Sequence, residues 1–190
     1  MKDFVFNLQM FGYIYNSTNN TVITGTNSDD TLSNHGNIVK IYGCLGNDTI
    51  TNTGANVTIF GGNDDDSIQH YNGKKVKIYG GSGKDYININ NGKKVTVKSD
   101  SGDDFVHIYS GENLILDCGS GNDSVSGYGY YVTISGGIGN DTIHNSGEKV
   151  KINGGAGNDY IYAGGKNVTI NGGRGNDLLT ACQNSIIKYA

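Results

Sequence analysis

Short segments of alternating apolar and polar residues return along this chain at a regular interval, so that Val39, Val57 and Val76 begin equivalent segments. Alternation at period two places every second side chain on the same face of a β-strand, so each segment predicts a strand with one buried face. Val and Ile dominate the apolar positions, and β-branched residues suit a pleated surface. We therefore expect an all-β protein with two short strands in each repeat.

The apolar positions fall into two sets, one for each strand of the repeat. The first strand carries two inward residues in a V-x-I pattern: Val39 and Ile41, Val57 and Ile59, Val76 and Ile78, Val95 and Val97, Leu114 and Leu116, Val132 and Ile134, Val150 and Ile152, Val168 and Ile170. The second strand carries one inward residue: Leu32, Ile50, Ile68, Ile87, Val106, Val125, Ile143, Ile161 and Leu179. Stacked repeat on repeat, both sets form ladders that fill a narrow interior.

Nine aspartates lie between the two strands and keep the same spacing: Asp30, Asp48, Asp66, Asp85, Asp104, Asp123, Asp141, Asp159 and Asp177. A period this regular over nine copies is typical of a solenoid, in which each coil buries its apolar stripe against its neighbours. The sequence thus predicts a parallel β-roll or β-helix solenoid of nine 18- or 19-residue coils. The absence of proline fits this fold, since ladder strands need nearly every backbone N–H.

Each aspartate ends a glycine-rich loop, which is clearest in Gly154-Gly155-Ala156-Gly157-Asn158-Asp159. Three glycines in six residues let the backbone adopt positive φ and leave carbonyl oxygens free to point at a common centre. Oxygen donors of this kind suit a hard cation that accepts six to eight flexible ligands, which is Ca²⁺ rather than zinc or copper.

These loops resemble the nonapeptide repeat G-G-x-G-x-D-x-U-x of the RTX (repeats-in-toxin, haemolysin-type) family, over roughly residues 24 to 180. The resemblance implies that aspartate carboxylates and loop carbonyls bind Ca²⁺ between neighbouring coils. The metal-binding residues that it implies are Asp48, Asp66, Asp85, Asp104, Asp123, Asp141, Asp159 and Asp177, with Gly80, Gly83, Gly136, Gly139, Gly154, Gly157, Gly172 and Gly175.

Several loops depart from this pattern. The loops that begin at Gly43 and Cys118 lose one glycine each, and the loop that begins at Gly61 loses its third. The loops Ser99 to Asp104 and Gly25 to Asp30 lose two glycines each, so we expect reduced calcium occupancy beside these two.

Loops of this type occur on one edge of the coil only. The opposite turn carries a glycine three residues before the next apolar position and no aspartate: Gly36, Gly54, Gly73, Gly92, Gly111, Gly129, Gly147 and Gly165. We expect these glycines to adopt positive φ in a simple reversal. The longer coils take their extra residue next to this turn, because a ligand-bearing loop cannot change length without moving its carbonyls.

The organisation expected is one solenoid, residues 21–190, which ends in a short C-terminal cap and follows a leader, residues 1–20. The leader is expected to cap the open first coil, with a targeting or partner peptide as the alternative. It does not read as a cleaved secretory signal, and no segment is long enough to span a membrane. Cys44, Cys118 and Cys182 lie too many coils apart for a disulfide.

Outward-facing aromatics recur at Tyr42, Phe60 and Tyr79, and again at Tyr86 and Phe105; we interpret them as cross-strand stacks, with a sugar-binding strip as the alternative. The lysines of the opposite turns, Lys74, Lys75, Lys93 and Lys94, are interpreted as a solvated face. The net charge of -4 and the aspartate row argue against nucleic acid as a partner.

Catalytic motifs of the metalloprotease, hydrolase and P-loop classes do not occur in the sequence. The function expected is therefore a non-enzymatic, calcium-binding bacterial repeat protein, secreted or at the cell surface. Whether it has a polysaccharide or cell-surface partner does not follow from the sequence. The alternatives are an ice-binding or adhesive solenoid, which would use the loop Asn row, and a non-catalytic module of a polysaccharide-active enzyme.

Overall fold

The computed structural model describes residues 5–6, 12–182 and 184–188. All regular structure in this part of the chain is β-strand. The strands are β1 (Val5–Phe6), β2 (Tyr13–Asn16), β3 (Val22–Thr24), β4 (Thr31–Asn34), β5 (Lys40–Cys44), β6 (Thr49–Asn52), β7 (Thr58–Asn63), β8 (Ser67–Tyr71), β9 (Lys74–Ser82), β10 (Tyr86–Ser101), β11 (Phe105–Ser120), β12 (Ser124–Gly127), β13 (Tyr130–Ile138), β14 (Thr142–Asn145), β15 (Lys151–Ala156), β16 (Tyr160–Ala163), β17 (Thr169–Arg174), β18 (Leu178–Ala181) and β19 (Ile186–Lys188).

Every strand pairs in parallel with its equivalent one coil away, which makes a β-solenoid of about 10 turns. One sheet contains the strands that leave the aspartate loops, such as β6 paired with β8, and the other contains those that enter them, such as β5 paired with β7. Strands β10 and β11 run around the opposite edge and belong to both sheets. The predicted parallel solenoid is confirmed.

The extra residues of the longer coils lie where the sequence predicts. In one sheet, Thr49 of β6 pairs with Ser67 of β8. In the other sheet, Thr58 of β7 pairs with Lys77 of β9, so the interval along the chain between the paired residues is longer by one residue. The additional residue therefore enters between Tyr71 and Lys74, on the edge away from the aspartates. The aspartate loops keep one length throughout.

The interior consists of the two predicted ladders. All the apolar residues assigned to them are buried, from Leu32 at one end to Leu179 at the other. A second inward position on the outgoing strands adds Ile89, Ile108 and Ala163 in three of the coils. A solenoid of this width thus needs only three or four apolar side chains from each coil.

Strand β2 lies within the predicted leader and pairs with β4, and β1 pairs with β3, so both strands extend the stack in front of the first aspartate loop. The cap predicted for residues 1–20 otherwise falls on 1–4 and 7–11, outside the described residues. Part of the predicted C-terminal cap, residues 183 and 189–190, lies outside them too.

The aromatic residues of the incoming strands form the predicted cross-strand stack. The ring of Phe60 lies 4.9 Å from the rings of both Tyr42 and Tyr79, with interplanar angles of 3° and 9°. Tyr86 and Phe105 repeat the arrangement on the other sheet at 4.9 Å and 3°. The spacing of these rings also measures the rise from one coil to the next.

A ladder of buried asparagines near the opposite edge was not predicted from the sequence. The Nδ2 group of Asn16 donates to Oδ1 of Asn34, and that of Asn34 donates to Oδ1 of Asn52, each at 2.7 Å. Asn34 also donates to Gly36 O and accepts from Gly36 N, which fixes the turn. The ladder ends at His70, whose Nδ1 accepts a hydrogen bond from Asn52.

His70 is fully buried at this point, and its Nε2–H donates to Gly73 O. Burial lowers the pKa of the His70 imidazole, which keeps the ring neutral and its Nδ1 free to accept. His70 is thereby assigned to a structural hydrogen-bond network.

Replacing one ladder asparagine is expected to destabilise the solenoid strongly. Asn34→Ala removes hydrogen-bond partners from Asn16 Nδ2, from Asn52 Oδ1 and from the backbone of Gly36 in a dry interior. We expect a loss of about 2–4 kcal/mol in the free energy of unfolding, measured by urea titration in saturating calcium. Ser33→Ala, on the outward face of the same strand, is the control; equal losses for the two variants would contradict the ladder's role.

The expected positive φ at the opposite-turn glycines is wrong. The residue two positions after the glycine takes that conformation, as in Ile38 (φ 58) and Asn56 (φ 55). The glycine is needed for space: a Cβ at Gly36 would overlap the carbonyl oxygen of Thr18, and a Cβ at Gly54 would overlap that of Gly36. Close stacking of successive turns therefore selects glycine at these positions.

Candidate metal-binding loops

The aspartate loops from Gly43 onward turn at the same two positions. In the loop Gly154 to Asp159, Gly155 and Gly157 have φ of 123° and 139°, whereas Gly154 does not have positive φ. Only the second and fourth positions thus use the conformational freedom that the sequence suggested for all three glycines.

The first glycine of the loop leaves room for two oxygen atoms. A Cβ at Gly154 would overlap both Oδ2 of Asp159, in the same loop, and the carbonyl oxygen of Gly172, in the next coil. We call the space beside this glycine the glycine cradle. An equivalent pair of oxygens bounds the cradles of Gly43, Gly61, Gly80 and Gly136.

From Asp48 onward, one carboxylate oxygen of each aspartate holds neighbouring coils together. Oδ1 of Asp159 accepts the backbone N–H of Asp141 at 2.9 Å, and Oδ1 of Asp141 accepts that of Asp123 at 2.8 Å. The bond recurs from Asp30 to Asp177 without interruption. Each aspartate after the first is therefore positioned by the backbone of the preceding coil.

The other carboxylate oxygen is buried and has no hydrogen-bond partner. This holds for Oδ2 of Asp48, Asp66, Asp85, Asp104, Asp123, Asp141 and Asp159. A buried polar atom without a partner costs about 1–3 kcal/mol, and more when it is charged. A row of seven such atoms along one edge indicates that the loops are built for a bound cation.

Burial raises the pKa of these carboxyl groups well above the usual range of aspartate. The pKa is about 6 for Asp48, Asp85 and Asp141, about 7 for Asp66 and Asp123, and about 8 for Asp104. Hydrogen bonds from the preceding coil oppose the shift, and neighbouring aspartates add to it. In the absence of a cation, negative charge in this row is therefore unfavourable.

The donor set fits Ca²⁺. Within the described residues, no three Cys, His, Asp or Glu side chains come together in a group that could hold a metal by side chains alone. Backbone carbonyls must therefore supply most of the ligands, and carboxylate with carbonyl oxygen is the set that calcium prefers. The residues that would hold the ion are the aspartate of one loop and the carbonyl of the first position in the next.

The loop Gly25 to Asp30 differs from the others. Oδ2 of Asp30 accepts hydrogen bonds from the backbone N–H of Thr26 at 2.5 Å and from its hydroxyl at 3.0 Å. Thr26 replaces the second glycine, so this carboxylate is already satisfied by its own loop. The geometry agrees with the reduced occupancy expected for this loop.

The asparagine row of the loops has a structural explanation. The side-chain oxygen of Asn140 accepts the backbone N–H of Asn158, and Asn158 does the same for Asn176, at 2.7 and 2.8 Å. Asp29, Asn47, Asp65, Asp103 and Asn122 act in the same way in other coils. These residues link successive loops along the edge.

Comparison with known families places the loops in a defined class. The profile of the RTX calcium-binding nonapeptide repeat matches the chain in 4 copies, over residues 42–73, 76–92, 119–147 and 152–181. These ranges cover more than half of the 190 residues.

The chain belongs to the RTX calcium-binding repeat family. RTX nonapeptide repeats bind calcium, so Ca²⁺ is the cofactor of this solenoid. No curated protein matches the chain. The RTX match includes the loops of Asp48, Asp66, Asp85, Asp141, Asp159 and Asp177, together with residues 119–123 of the Asp123 loop. It leaves out residues 93–118, which contain the loop Ser99 to Asp104. Which residues ligate the ion remains a prediction.

One RTX loop carries a strained residue whose replacement is expected to stabilise the protein. Cys44 occupies the second glycine position with φ of 96°, where a residue with a Cβ costs about 1–3 kcal/mol. After the greater flexibility of unfolded glycine is included, Cys44→Gly should gain about 1 kcal/mol and raise the melting temperature by about 2–4 °C. Calorimetry in saturating calcium measures this.

The neighbouring variant Leu45→Gly is the control, since Leu45 is exposed and does not have positive φ. It should lower the melting temperature slightly. A Cys44→Gly variant that melts below the wild type would contradict the assignment of strain to Cys44.

Proposed function

We propose that this protein is a non-enzymatic RTX solenoid that a bacterium secretes or displays at its surface, and that calcium completes its fold there. The observation that carries the proposal is the row of buried Oδ2 atoms without partners, five of which lie beside a carbonyl of the next coil. A cation bound in this row supplies positive charge and joins one coil to the next.

The proposed ligands are those implied by the RTX repeat. Asp48, Asp66, Asp85, Asp141 and Asp159 present Oδ2 to a glycine cradle whose other wall is a carbonyl of the following coil. Gly83, Gly139 and Gly157 shape three of these loops by adopting positive φ, and Gly175 does the same in the loop of Asp177. Asp104, Asp123 and Asp177, which were also predicted as ligands, are not part of this set.

A location outside the cell agrees with weak calcium sites. Extracellular calcium modules bind with dissociation constants of about 10⁻⁴–10⁻³ M, which would leave them empty in a cytoplasm that keeps calcium low. RTX repeat proteins are typically extracellular. Among the described residues, no helix has the length and apolar character needed to cross a bilayer.

The surroundings of the histidines favour a non-enzymatic role. His70 is buried in the asparagine ladder, and His107 bonds to Ser126 Oγ beside two aromatic rings. His35 and His144 each pack on a tyrosine of an adjacent coil. The acidic residues that end the loops already have a role in the calcium row, which leaves these histidines without an acid–base partner among them.

A pair of matched aspartate variants tests the calcium row. Asp159→Ala should abolish binding at its own loop and weaken the adjacent one, because it removes an unpartnered oxygen that faces the carbonyl of Gly172. Asp30→Ala removes a carboxylate that Thr26 already satisfies, so calcium binding should change little. Calorimetric titration of both variants with calcium measures the difference.

The two variants differ in one bond between coils. Asp159→Ala removes the Oδ1 bond from Asp141 N, whereas Asp30 begins the row and only its backbone N–H takes part. Asp159→Asn, which keeps an oxygen for Asp141 N and removes the charge, is therefore measured alongside them. Equal losses of calcium affinity in Asp159→Ala and Asp30→Ala would show that an unpartnered Oδ2 beside a carbonyl of the next coil does not mark a site.

A further inference from the structure

Two loops of the row carry a side chain where the others have the first glycine. The strand register aligns Lys98 with Tyr79 and Asp100 with Gly81, which places Ser99 at the position of Gly80. In the next coil, Asp117 aligns with Ser135 and Gly119 with Gly137, so Cys118 occupies the position of Gly136. Ser99 and Cys118 therefore lie in adjacent coils at equivalent positions.

Both side chains are fully buried, with no exposed surface. At the equivalent position of other loops, such as Gly61 and Gly136, a Cβ would overlap the aspartate Oδ2 and the carbonyl of the following coil. Ser99 and Cys118 place a Cβ and a further heavy atom in that space. The glycine cradles of Asp104 and Asp123 are thus already filled by the protein itself.

Both loops keep the hydrogen bonds that join neighbouring coils. Ser99 Oγ has no hydrogen-bond partner, and neither does Oδ2 of Asp104 or of Asp123. The Oδ1 bonds are kept, with Asp85 N donating to Asp104 and Asp104 N donating to Asp123, both at 2.8 Å. The two aspartates therefore retain their role in joining coils.

The family match changes at the same place. The RTX profile stops at residue 92 and resumes at residue 119, so the unmatched stretch contains both Ser99 and Cys118. Loops with open cradles lie on each side, at Gly43, Gly61 and Gly80 before the break and at Gly136 and Gly154 after it. The substitutions thus fall in the middle of the calcium row.

We infer that Ser99 and Cys118 divide the calcium row into two blocks, because their side chains exclude the ion from the loops of Asp104 and Asp123. The inference rests on the proposed function of the loops. Ions in one block then have no bound neighbour in the other, and the two blocks load with calcium independently. The two central coils are then held together by their apolar core, by backbone hydrogen bonds and by the hydrogen bonds to Oδ1, without a bound ion.

The test restores the missing glycines. The double variant S99G/C118G reopens both cradles and should bind one additional calcium ion for each restored loop, two in all. The stoichiometry is measured by equilibrium dialysis against radioactive calcium at saturating concentration, on the full chain. Thermal unfolding at the same calcium concentration should also shift to higher temperature.

Two controls separate the cradle from other effects. S99A/C118A keeps each Cβ and removes only the hydroxyl and the thiol, so it should bind the same number of ions as the wild type. S101G/S120G adds glycine to the exposed third positions of the same loops and should also leave the stoichiometry unchanged. A gain in either control would overturn the inference.

The remaining outcomes distinguish the inference from the proposed function. If the wild type binds calcium and S99G/C118G binds no more, the row is continuous and the division into blocks is wrong, while calcium binding stands. If the wild type binds no calcium at all, both the inference and the proposed function are overturned.

Discussion

Removing calcium is expected to lower the melting temperature of this protein by about 10 °C or more. At ten times its dissociation constant a bound ion stabilises the native state by about 1.4 kcal/mol, and several sites act together here. For a protein of this size, about 1 kcal/mol corresponds to about 2–4 °C. Differential scanning calorimetry in chelator and in millimolar calcium measures the shift.

Repulsion within the aspartate row adds to this loss. Coils lie about 4.9 Å apart, as the stacked rings of Tyr42 and Phe60 show. Two carboxylate charges at that distance repel by about 1 kcal/mol in water and by about 3 kcal/mol at an effective dielectric constant of about 20. The ladders of Val, Ile and Leu do not depend on the ion, so part of the β signal in circular dichroism should survive in chelator. The maximum dimension of the protein, measured by small-angle X-ray scattering, should increase.

Equal melting temperatures in chelator and in millimolar calcium would contradict the central role of the row. Magnesium at the same concentration is the control for ionic strength and charge. Because Mg²⁺ requires a compact octahedral shell, it should restore only a small part of the stability.

The calcium-free protein is expected to become less stable as the pH rises from about 5 to about 8. The folded-state pKa of the row is raised to about 6 for Asp48 and Asp85, to about 7 for Asp66 and to about 8 for Asp104. An unfolded aspartate titrates near a pKa of about 3.9, so the native state holds protons that the unfolded state has already released. The contribution of these carboxyl groups to the free energy of unfolding is therefore greatest at low pH, and it is lost as the pH rises through the folded-state pKa values.

Thermal unfolding in metal-free buffer at a series of pH values measures this dependence. Protein freed of calcium on a chelating resin is preferable to added chelator, whose own affinity changes with pH. In saturating calcium the dependence should reverse, because protons compete with the ion for the same oxygens. A metal-free protein that gains stability between pH 5 and 8 would show that its carboxylates are paired in some other way.

Much of the fold can be predicted from the sequence because the repeating pattern is formed by residues that are close together in the chain. Alternation within each strand identifies the buried face, and the even recurrence of Asp85 and its equivalents fixes the length of the coil. The positions of the inserted residues could be predicted as well, since only one edge carries a ligand-type loop. The class of metal follows from the same pattern, because glycine and aspartate offer only oxygen donors.

The candidate site could be located from the sequence, but the different roles of its atoms could not. The sequence shows an aspartate in every loop, and it does not show that Oδ1 bonds to the preceding coil while Oδ2 lacks a partner. It also suggests one reason for three glycines, whereas Gly154 is required for space and Gly155 for its φ of 123°. These distinctions depend on atoms contributed by another coil.

By itself, then, the sequence determined the parallel solenoid, its two apolar ladders and the single edge that carries calcium-type loops, since each depends on spacing along the chain. Only the tertiary structure decided why Gly36 is glycine, how Asn34 is satisfied, and which aspartates face an open cradle. The physical reason is the stacking of coils about 4.9 Å apart. Stacking brings each residue against its equivalent in the next coil, and whether a Cβ or a hydrogen bond fits there is decided by that neighbour.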